Sequence, residues 1–349
     1  MLKRILGVLH DHDRFVITTH KRPDGDAIGS QLALGKFINA LGKEVLLFNS
    51  DPIPTTLDWI KGSEEVQTGN TLENLESVSK ADVFIVVDAN TRDRLGTTVE
   101  RALDLFTGPT LLIDHHTAPE SWFTWMLRDE HAAATSELVY DLICTYDPKM
   151  IDADIATALY TGIMTDTGSF RFSTVTPKIH QIIAHLLECG CTSPQVVYGH
   201  VYENHSHAWP RLVSLVFRGL TFLNEGKVAY VTVTRHMLDV SGVDHGESHQ
   251  MSDLVMSIAG VEVMLMLTEL SHGVKASFRS KGDHHVDGWA RTLGGGGHQN
   301  AAGAYIETSM EDALDLALNS IPDFFKDKTT TNLLEDDQSY LNELIGMKP

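Results

Sequence analysis

Three apolar runs constrain the fold most: Phe15-Val16-Ile17, Val83-Phe84-Ile85-Val86-Val87 and Thr110-Leu111-Leu112-Ile113. Each is too short for a buried helix, and none alternates with polar residues. Helix-like patterns lie between them. Continuous apolar strands separated by helices make a parallel sheet buried on both faces. Each run is also followed by side chains that ionise or ligate: His20 to Asp26 after the first, Asp88 after the second, and Asp114-His115-His116 after the third. In open parallel sheets, ligands bind beyond the carboxyl ends of the strands. Three such ends carrying Asp or His therefore point to one site.

The loop His20-Lys21-Arg22-Pro23-Asp24-Gly25-Asp26 reads as strand, turn and helix start, with Ile28, Leu32, Leu34, Phe37, Ile38 and Leu41 on the helix and Gly42 ending it. Asp24 and Asp26 are close like charges that call for a counter-charge, and a divalent cation supplies one. Taken alone, Pro-Asp-Gly-Asp is equally an ordinary polar turn. A helix over Asp154 to Met164 ends at Thr165-Asp166-Thr167-Gly168, where Asp166 is either a turn residue or a further ligand completing the shell.

Beyond Tyr202 the pattern changes. Strands at Val228–Val233, Val261–Leu267 and Val274–Phe278 have fewer helices between them, which predicts a smaller α/β domain. Arg279 ends the last of these strands and suits bidentate capture of a phosphate. Gly294-Gly295-Gly296-Gly297-His298 runs straight into the small residues Ala301-Ala302-Gly303-Ala304. A linker would not be set in such a packed segment. Glycines let successive backbone N–H groups converge on an anion, and His298 adds a charge-assisted hydrogen bond. Ser309 and Asp312 form a capping box for a last helix with Leu314, Leu318, Ile321 and Phe325 on one face.

Composition narrows the function. The chain has 349 residues, 42% hydrophobic and 21% charged, which suits two ordinary globular domains. A net charge of −20 repels long polyanions, so tracking along duplex nucleic acid is disfavoured, whereas short phosphorylated ligands remain open if metals and local cations offset the field. Cys144, Cys189 and Cys191 make no disulfide framework and read as packing thiols in a reducing cytoplasm. The most apolar window, Leu254 to Leu270, is broken by Gly260 and Glu262, which argues against a membrane span, and no signal peptide is expected.

In order along the chain, His20-x-x-x-Asp24-x-Asp26, Val87-Asp88, Asp114-His115-His116, Thr165-Asp166 and the Gly294–His298 loop resemble the motifs of the DHH phosphoesterase family, from about Phe15 to Ile306. The glycine loop is similar to that of the DHH-associated C-terminal domain, and the compact length is similar to the oligoribonuclease and phosphoadenosine-phosphatase (nanoRNase) type. The resemblance implies an α/β catalytic domain with a parallel sheet over 1–200, a linker region over 201–225, a smaller substrate-binding α/β domain over 226–326 and a tail over 327–349, with the active site in the cleft between the domains. It implies two divalent ions, manganese foremost, with magnesium, iron, cobalt or zinc as alternatives. His20, Asp24 and Asp88 would bind one ion. Asp26, Asp88, His115 and Asp166 would bind the other, with Asp88 bridging. His116 would face the substrate, and Arg279, Gly295, Gly296, Gly297 and His298 would grip a phosphate that is not cleaved.

The implied activity is two-metal hydrolysis of dinucleotides and few-nucleotide RNA to mononucleotides, and of 3′-phosphoadenosine 5′-phosphate to AMP. Alternatives are a phosphodiesterase for cyclic or linear signalling dinucleotides and a non-catalytic nucleotide-binding protein. The implied setting is the cytoplasm, with no membrane partner and with a homodimer as a compatible assembly. The second Asp-His-His, Asp283-His284-His285, follows Ser280-Lys281-Gly282 and reads as a surface turn rather than a second site.

Overall fold

A computed structural model describes residues 1–69, 71–243 and 251–322. The chain divides into two compact units, Met1–Asn204 and His205–Pro349. In the first, α1 (Leu2–Asp11) leads into β1 (Arg14–Thr18), α2 (Gly25–Ala40), β2 (Glu44–Asn49) and β3 (Gln67–Thr68). There follow α3 (Leu72–Ser79), β4 (Val83–Val87), α4 (Arg92–Leu95), α5 (Thr97–Leu105), β5 (Thr110–Asp114) and β6 (Trp125–Arg128). The unit closes with α6 (Thr135–Tyr146), α7 (Ala153–Asp166), α8 (Pro177–Glu188) and α9 (Pro194–Tyr202). The six strands form one parallel sheet in the order β3-β2-β1-β4-β5-β6.

Strand alternation explains why the three apolar runs are unbroken. Phe15, Ile17, Val83, Ile85, Val87, Leu111 and Ile113 enter a core with α2, α6 and α7. Val16, Phe84, Val86 and Leu112 enter another on the opposite face, with Val78, Val99 and Ala102 of the helices there. Every residue of β4 is buried, so polar alternation would have left an ionisable or hydroxyl group in one core or the other. Each apolar side chain of these runs stabilises by about 1.5–3 kcal/mol when fully buried. Cys144, Cys189 and Cys191 are free thiols of intermediate burial around the first core.

The register levels the strand ends. Ile17 pairs with Ile85, and Ile85 with Leu111. His20, Asp88 and Asp114 each lie three residues beyond these partners, so the sheet delivers them along one edge. Asp88 stands in the left-handed region at φ 58°, while its N–H donates to the Ile113 carbonyl at 3.1 Å. That backbone costs on the order of 1–3 kcal/mol for a non-glycine residue. The cores on both faces of β4 hold it in place.

The second unit contains α10 (Trp209–Arg218), β7 (Thr221–Leu223), β8 (Val228–Val233), α11 (Arg235–Ser241) and α12 (Met251–Met256). It continues with β9 (Val263–Glu269), β10 (Val274–Ser280), α13 (Asp287–Thr292), β11 (Gly296–His298), β12 (Ala301–Ile306) and α14 (Met310–Asn319). Helix α10 and strand β7 thus occupy most of the 201–225 stretch. The sheet order is β11-β12-β10-β9-β8-β7, mixed, with β8 and β9 parallel. Val263, Leu265 and Leu267 face one core with Trp289 and Ala313, and Met264 and Met266 face the other with Leu212 and Leu238. Ser309 caps α14 as its sequence predicts, accepting from the Asp312 N–H at 3.2 Å. Phe325 and the 327–349 tail lie outside the described residues. Among the described residues no helix is long and apolar enough to cross a membrane.

A candidate metal centre at the strand ends

The first unit brings all seven metal and proton-transfer candidates together. Three sets of ligand atoms each lie within 4.8 Å of one another: His20, Asp24 and Asp88; Asp26, His115 and Asp166; and Asp88, His115 and His116. Asp88 and His115 belong to two sets each, so the three sets are one cluster. His20 Nε2 lies 3.4 Å from Asp88 and 3.8 Å from Asp24. His115 Nε2 lies 3.6 Å from Asp88 and 3.4 Å from Asp166. Asp166 sits in the last turn of α7, which runs two residues beyond the predicted Met164.

Local chemistry aims these groups. Asp24 caps α2, accepting from the Asp26 and Ala27 N–H groups at 3.1 Å each, so one of its oxygens is committed to the backbone. His20 Nδ1 faces the Lys21 carbonyl at 2.9 Å, and His115 Nδ1 faces the Ala132 carbonyl at 3.1 Å. A carbonyl only accepts, so both Nδ1 atoms carry the proton and Nε2 is the ligand atom in each ring. His116 differs, because its Nδ1–H donates to Asp114 at 2.8 Å.

Helix α2 packs on α7 through missing side chains. A Cβ on Gly29 would collide with the Ala158 carbonyl, and one on Gly162 would collide with Ser136 Oγ and lie 2.9 Å from Asp26 Oδ1. The space Gly162 leaves is filled by Ser136 Oγ, with the Asp26 carboxylate at its edge.

Electrostatics test whether a metal fits. Burial and the neighbouring Asp88 push the Asp26 carboxyl up to about 7. Burial, with Asp26 behind it, pushes Asp166 well up too. Desolvation opposes a charged His20, yet the facing carboxylates of Asp24 and Asp88 outweigh it and hold the imidazole at about 10. Buried His20 Nε2 makes no hydrogen bond among the described residues. Carboxylates forced together and an imidazole nitrogen aimed at them are the donor set of a divalent cation with oxygen and nitrogen ligands.

The sequence reading named Asp114 without giving it a role, and it missed Ser30, Thr135 and Ser136. Asp114 is fully buried and accepts from both Nδ1 and the backbone N–H of His116, at 2.8 and 3.1 Å. Asp26 accepts from the N–H groups of Thr135 at 2.6 Å and Ser136 at 2.9 Å, and from Ser30 Oγ at 3.3 Å. Thr135 Oγ1 donates to Asp88 at 3.0 Å. The N-cap of α6 is Ala134, which has no side chain able to cap. Asp26 supplies that acceptor from α2, an arrangement favoured by the helix dipole. A helix start without its own cap was the one signal available.

The second unit holds the remaining candidates. Arg279 on β10 faces Ala301 on β12, and Ala301 faces His298 on β11, so the two stand in one cross-strand row. The Arg279 Nη1 donates to the Phe278 carbonyl at 2.9 Å, and desolvation lowers the guanidinium pKa. The His298 side chain lies outside what the structure describes. The glycines form an edge strand: a Cβ on Gly295 would collide with the Gly303 carbonyl, and one on Gly297, at φ 142°, would lie 2.6 Å from the Ala301 carbonyl. Gly296 alone of these three faces open space. His284 pairs with Glu262 at 3.0 Å, and Asp283 lies in an exposed turn.

The first unit is a parallel α/β domain whose strand ends carry an imidazole and carboxylate cluster able to hold divalent metal. Residues 14–163 match the DHH family, N-terminal domain, and residues 225–327 match the DHHA1 domain. The chain belongs to the DHH family, whose members include phosphoesterases. It is 32% identical to the bifunctional oligoribonuclease and PAP phosphatase NrnA of Thermus thermophilus, over 87% of this chain and 88% of that protein. It is 26% identical to the cyclic-di-AMP phosphodiesterase GdpP of Geobacillus thermodenitrificans, over 91% of this chain and 49% of that protein. The crystal structure of an exopolyphosphatase-related protein from Bacteroides fragilis superposes with a TM-score of 0.85 at 28% identity, covering 98% of this chain and 97% of that one.

Proposed function

We propose that the protein is a two-metal phosphoesterase that hydrolyses dinucleotides and few-nucleotide RNA to mononucleotides, and 3′-phosphoadenosine 5′-phosphate to AMP. The convergence of three ligand sets on Asp88 and His115 carries the reading. The likeness to the Thermus oligoribonuclease and PAP phosphatase, which runs nearly the full length of both chains, supports the substrate class. His20, Asp24 and Asp88 would hold one ion, and Asp26, Asp88, His115 and Asp166 the other. Manganese suits this mixture of carboxylate and imidazole. When bound, such ions activate a water for attack on phosphorus and offset charge on the phosphoryl oxygens.

The chain's own residues do the rest. Thr135 Oγ1 and His20 orient Asp88 from its two oxygens. The α6 N-terminus and Ser30 hold Asp26. His116, steadied by Asp114, would hold a proton for the departing ribose oxygen. In the second unit, Arg279, His298 and the Gly295–Gly297 strand would hold a substrate phosphate that stays intact, with Gly296 giving the closest backbone approach.

Product analysis on 5′-labelled RNAs of two to twenty or so nucleotides with manganese, beside 3′-phosphoadenosine 5′-phosphate and cyclic dinucleotides, tests this. Turnover concentrated on the shortest RNAs and the bisphosphate is expected. Preferential turnover of cyclic dinucleotides would favour the activity in the name of the Geobacillus relative. No turnover of any of them would refute both.

A further inference from the structure

We propose that Arg94 is a catalytic residue of this site, engaging the phosphoryl group under attack on the Asp24 and His116 side of the cluster. The inference rests on the phosphoesterase reading and adds to it a residue that lies outside the metal-ligand motifs.

Helix α4 is a single turn fastened to the first metal loop. The Lys21 N–H donates to the Arg94 carbonyl at 2.6 Å, and Ser50 Oγ donates to the Leu95 carbonyl at 2.6 Å. Leu95 is fully buried, and Gly96 turns the chain at φ 79° where a Cβ would lie 2.8 Å from Ser50 Oγ and 3.3 Å from Lys21 Cβ. The backbone of Arg94 is thus held beside the residue that follows His20. Its side chain is half-buried, and among the described residues its guanidinium makes no hydrogen bond or ion pair.

Two other arginines near the site have partners. Arg92 pairs with Asp104, and Arg128 pairs with Glu130 at 2.7 Å while donating to the His116 carbonyl at 2.9 Å. Lys21, hydrogen-bonded to the Arg94 carbonyl, directly follows the metal-ligand candidate His20, and the Arg94 charge lies within electrostatic reach of Asp24 and of Asp114, the partner of His116. Asp24 is also the open edge of the cluster, with its side chain 59% exposed.

A half-buried guanidinium without a partner is costly unless an anion completes it, and its planar fork matches phosphoryl oxygens. The demand for a cation here is strong. Five carboxylates, Asp24, Asp26, Asp88, Asp114 and Asp166, crowd this site in a chain of net charge −20, and an incoming phosphate meets that field. A cation aimed at developing charge on the transferred group contributes about a hundred- to a thousandfold in rate.

The test is Arg94→Met in the full chain loaded with manganese. Melting temperature and metal content should match wild type. Orthovanadate, as a mimic of the five-coordinate phosphoryl group, should bind at least tenfold more weakly. The kcat should fall about a hundredfold on both a dinucleotide and bis-p-nitrophenyl phosphate. Arg94→Lys should recover part of each loss, and it serves as the test variant if Arg94→Met does not fold. Unchanged vanadate affinity overturns the proposal. A loss confined to the dinucleotide also overturns it, because the residue would then grip a remote group. Wild-type protein that binds vanadate through Arg94 yet cleaves no nucleotide would refute the substrate reading and leave this one standing.

Discussion

Asp88 is the residue on which the site depends. Its left-handed backbone turns the carboxylate across the strand ends, where one oxygen meets Thr135 and the other His20. Asp88→Ala should abolish hydrolysis and lower bound metal at both positions, because one side chain serves two ligand sets. Full metal occupancy with near-normal turnover, measured by elemental analysis and steady-state rates, would rule out a shared bridge. Asp114 works at one remove. Asp114→Asn keeps the shape and weakens the hold on the His116 Nδ1–H, so kcat should drop tenfold or more while metal content stays the same. Loss of metal from that variant would mean that Asp114 is a ligand. Replacing both His284 and His285 by alanine should leave rate and metal unchanged, since His284 pairs with Glu262 in the second unit, whereas His115→Ala should remove activity.

At the scale of elements, the site is a junction of helix ends. Helix α6 lacks a capping side chain and takes Asp26 from α2 instead, 109 residues away in sequence. That exchange needs α2, α6 and α7 in close approach, which Gly162 permits. Gly162→Ala would drive a methyl group into Ser136 Oγ and toward Asp26 Oδ1. Overpacking of this kind costs about 1–3 kcal/mol. The variant should melt lower and bind metal more weakly, even though Gly162 touches no metal. A calorimetric scan and a metal titration check both, and wild-type values in the two would show that the α2–α7 interface yields without disturbing Asp26. The glycine strand β11 shows a different use of the same residue. Gly295 and Gly297 are small because β12 lies against them, which a reading in terms of anion binding alone did not anticipate.

For the whole molecule, the metal centre couples stability to pH. Asp26 is raised from 3.8 to about 7, so its contribution is complete below the ordinary carboxylate value and lost as pH rises through 7. His20 is raised from 6.5 to about 10, and its contribution is likewise lost with rising pH, over a higher window. Metal-free protein should therefore weaken steadily from pH 6 to pH 9. Bound metal favours the ionised carboxylates and neutral imidazoles, so the gap in melting temperature between metal-loaded and chelator-treated protein should widen over that range. A constant gap would contradict the assignment of these residues as ligands. The two units should separate kinetically as well. Arg279→Ala should raise KM on a dinucleotide by roughly ten- to a hundredfold, the worth of a charged hydrogen bond of about 1.5–3 kcal/mol. It should change bis-p-nitrophenyl phosphate hydrolysis far less, because that diester has no second phosphate. Equal effects on both would refute the grip.

How much was legible in the chain follows from the range of the forces involved. Burial periodicity is local, so the unbroken runs at Phe15, Val83 and Thr110 announced a doubly covered parallel sheet, and the Asp and His residues that follow them announced a site at its edge. Those residues could be nominated from sequence because strand ends are where such sheets leave polar groups accessible. Which strands are neighbours is a long-range matter. Only the order β2-β1-β4-β5, with Ile17, Ile85 and Leu111 in line, turned three separate strand ends into one cluster. The same holds for Asp26 capping α6, for Thr135 on Asp88 and for Asp114 behind His116. Local pattern determined what each segment would be. Tertiary packing decided which charges would meet, because the desolvation and hydrogen bonding that tune them exist only once distant segments touch.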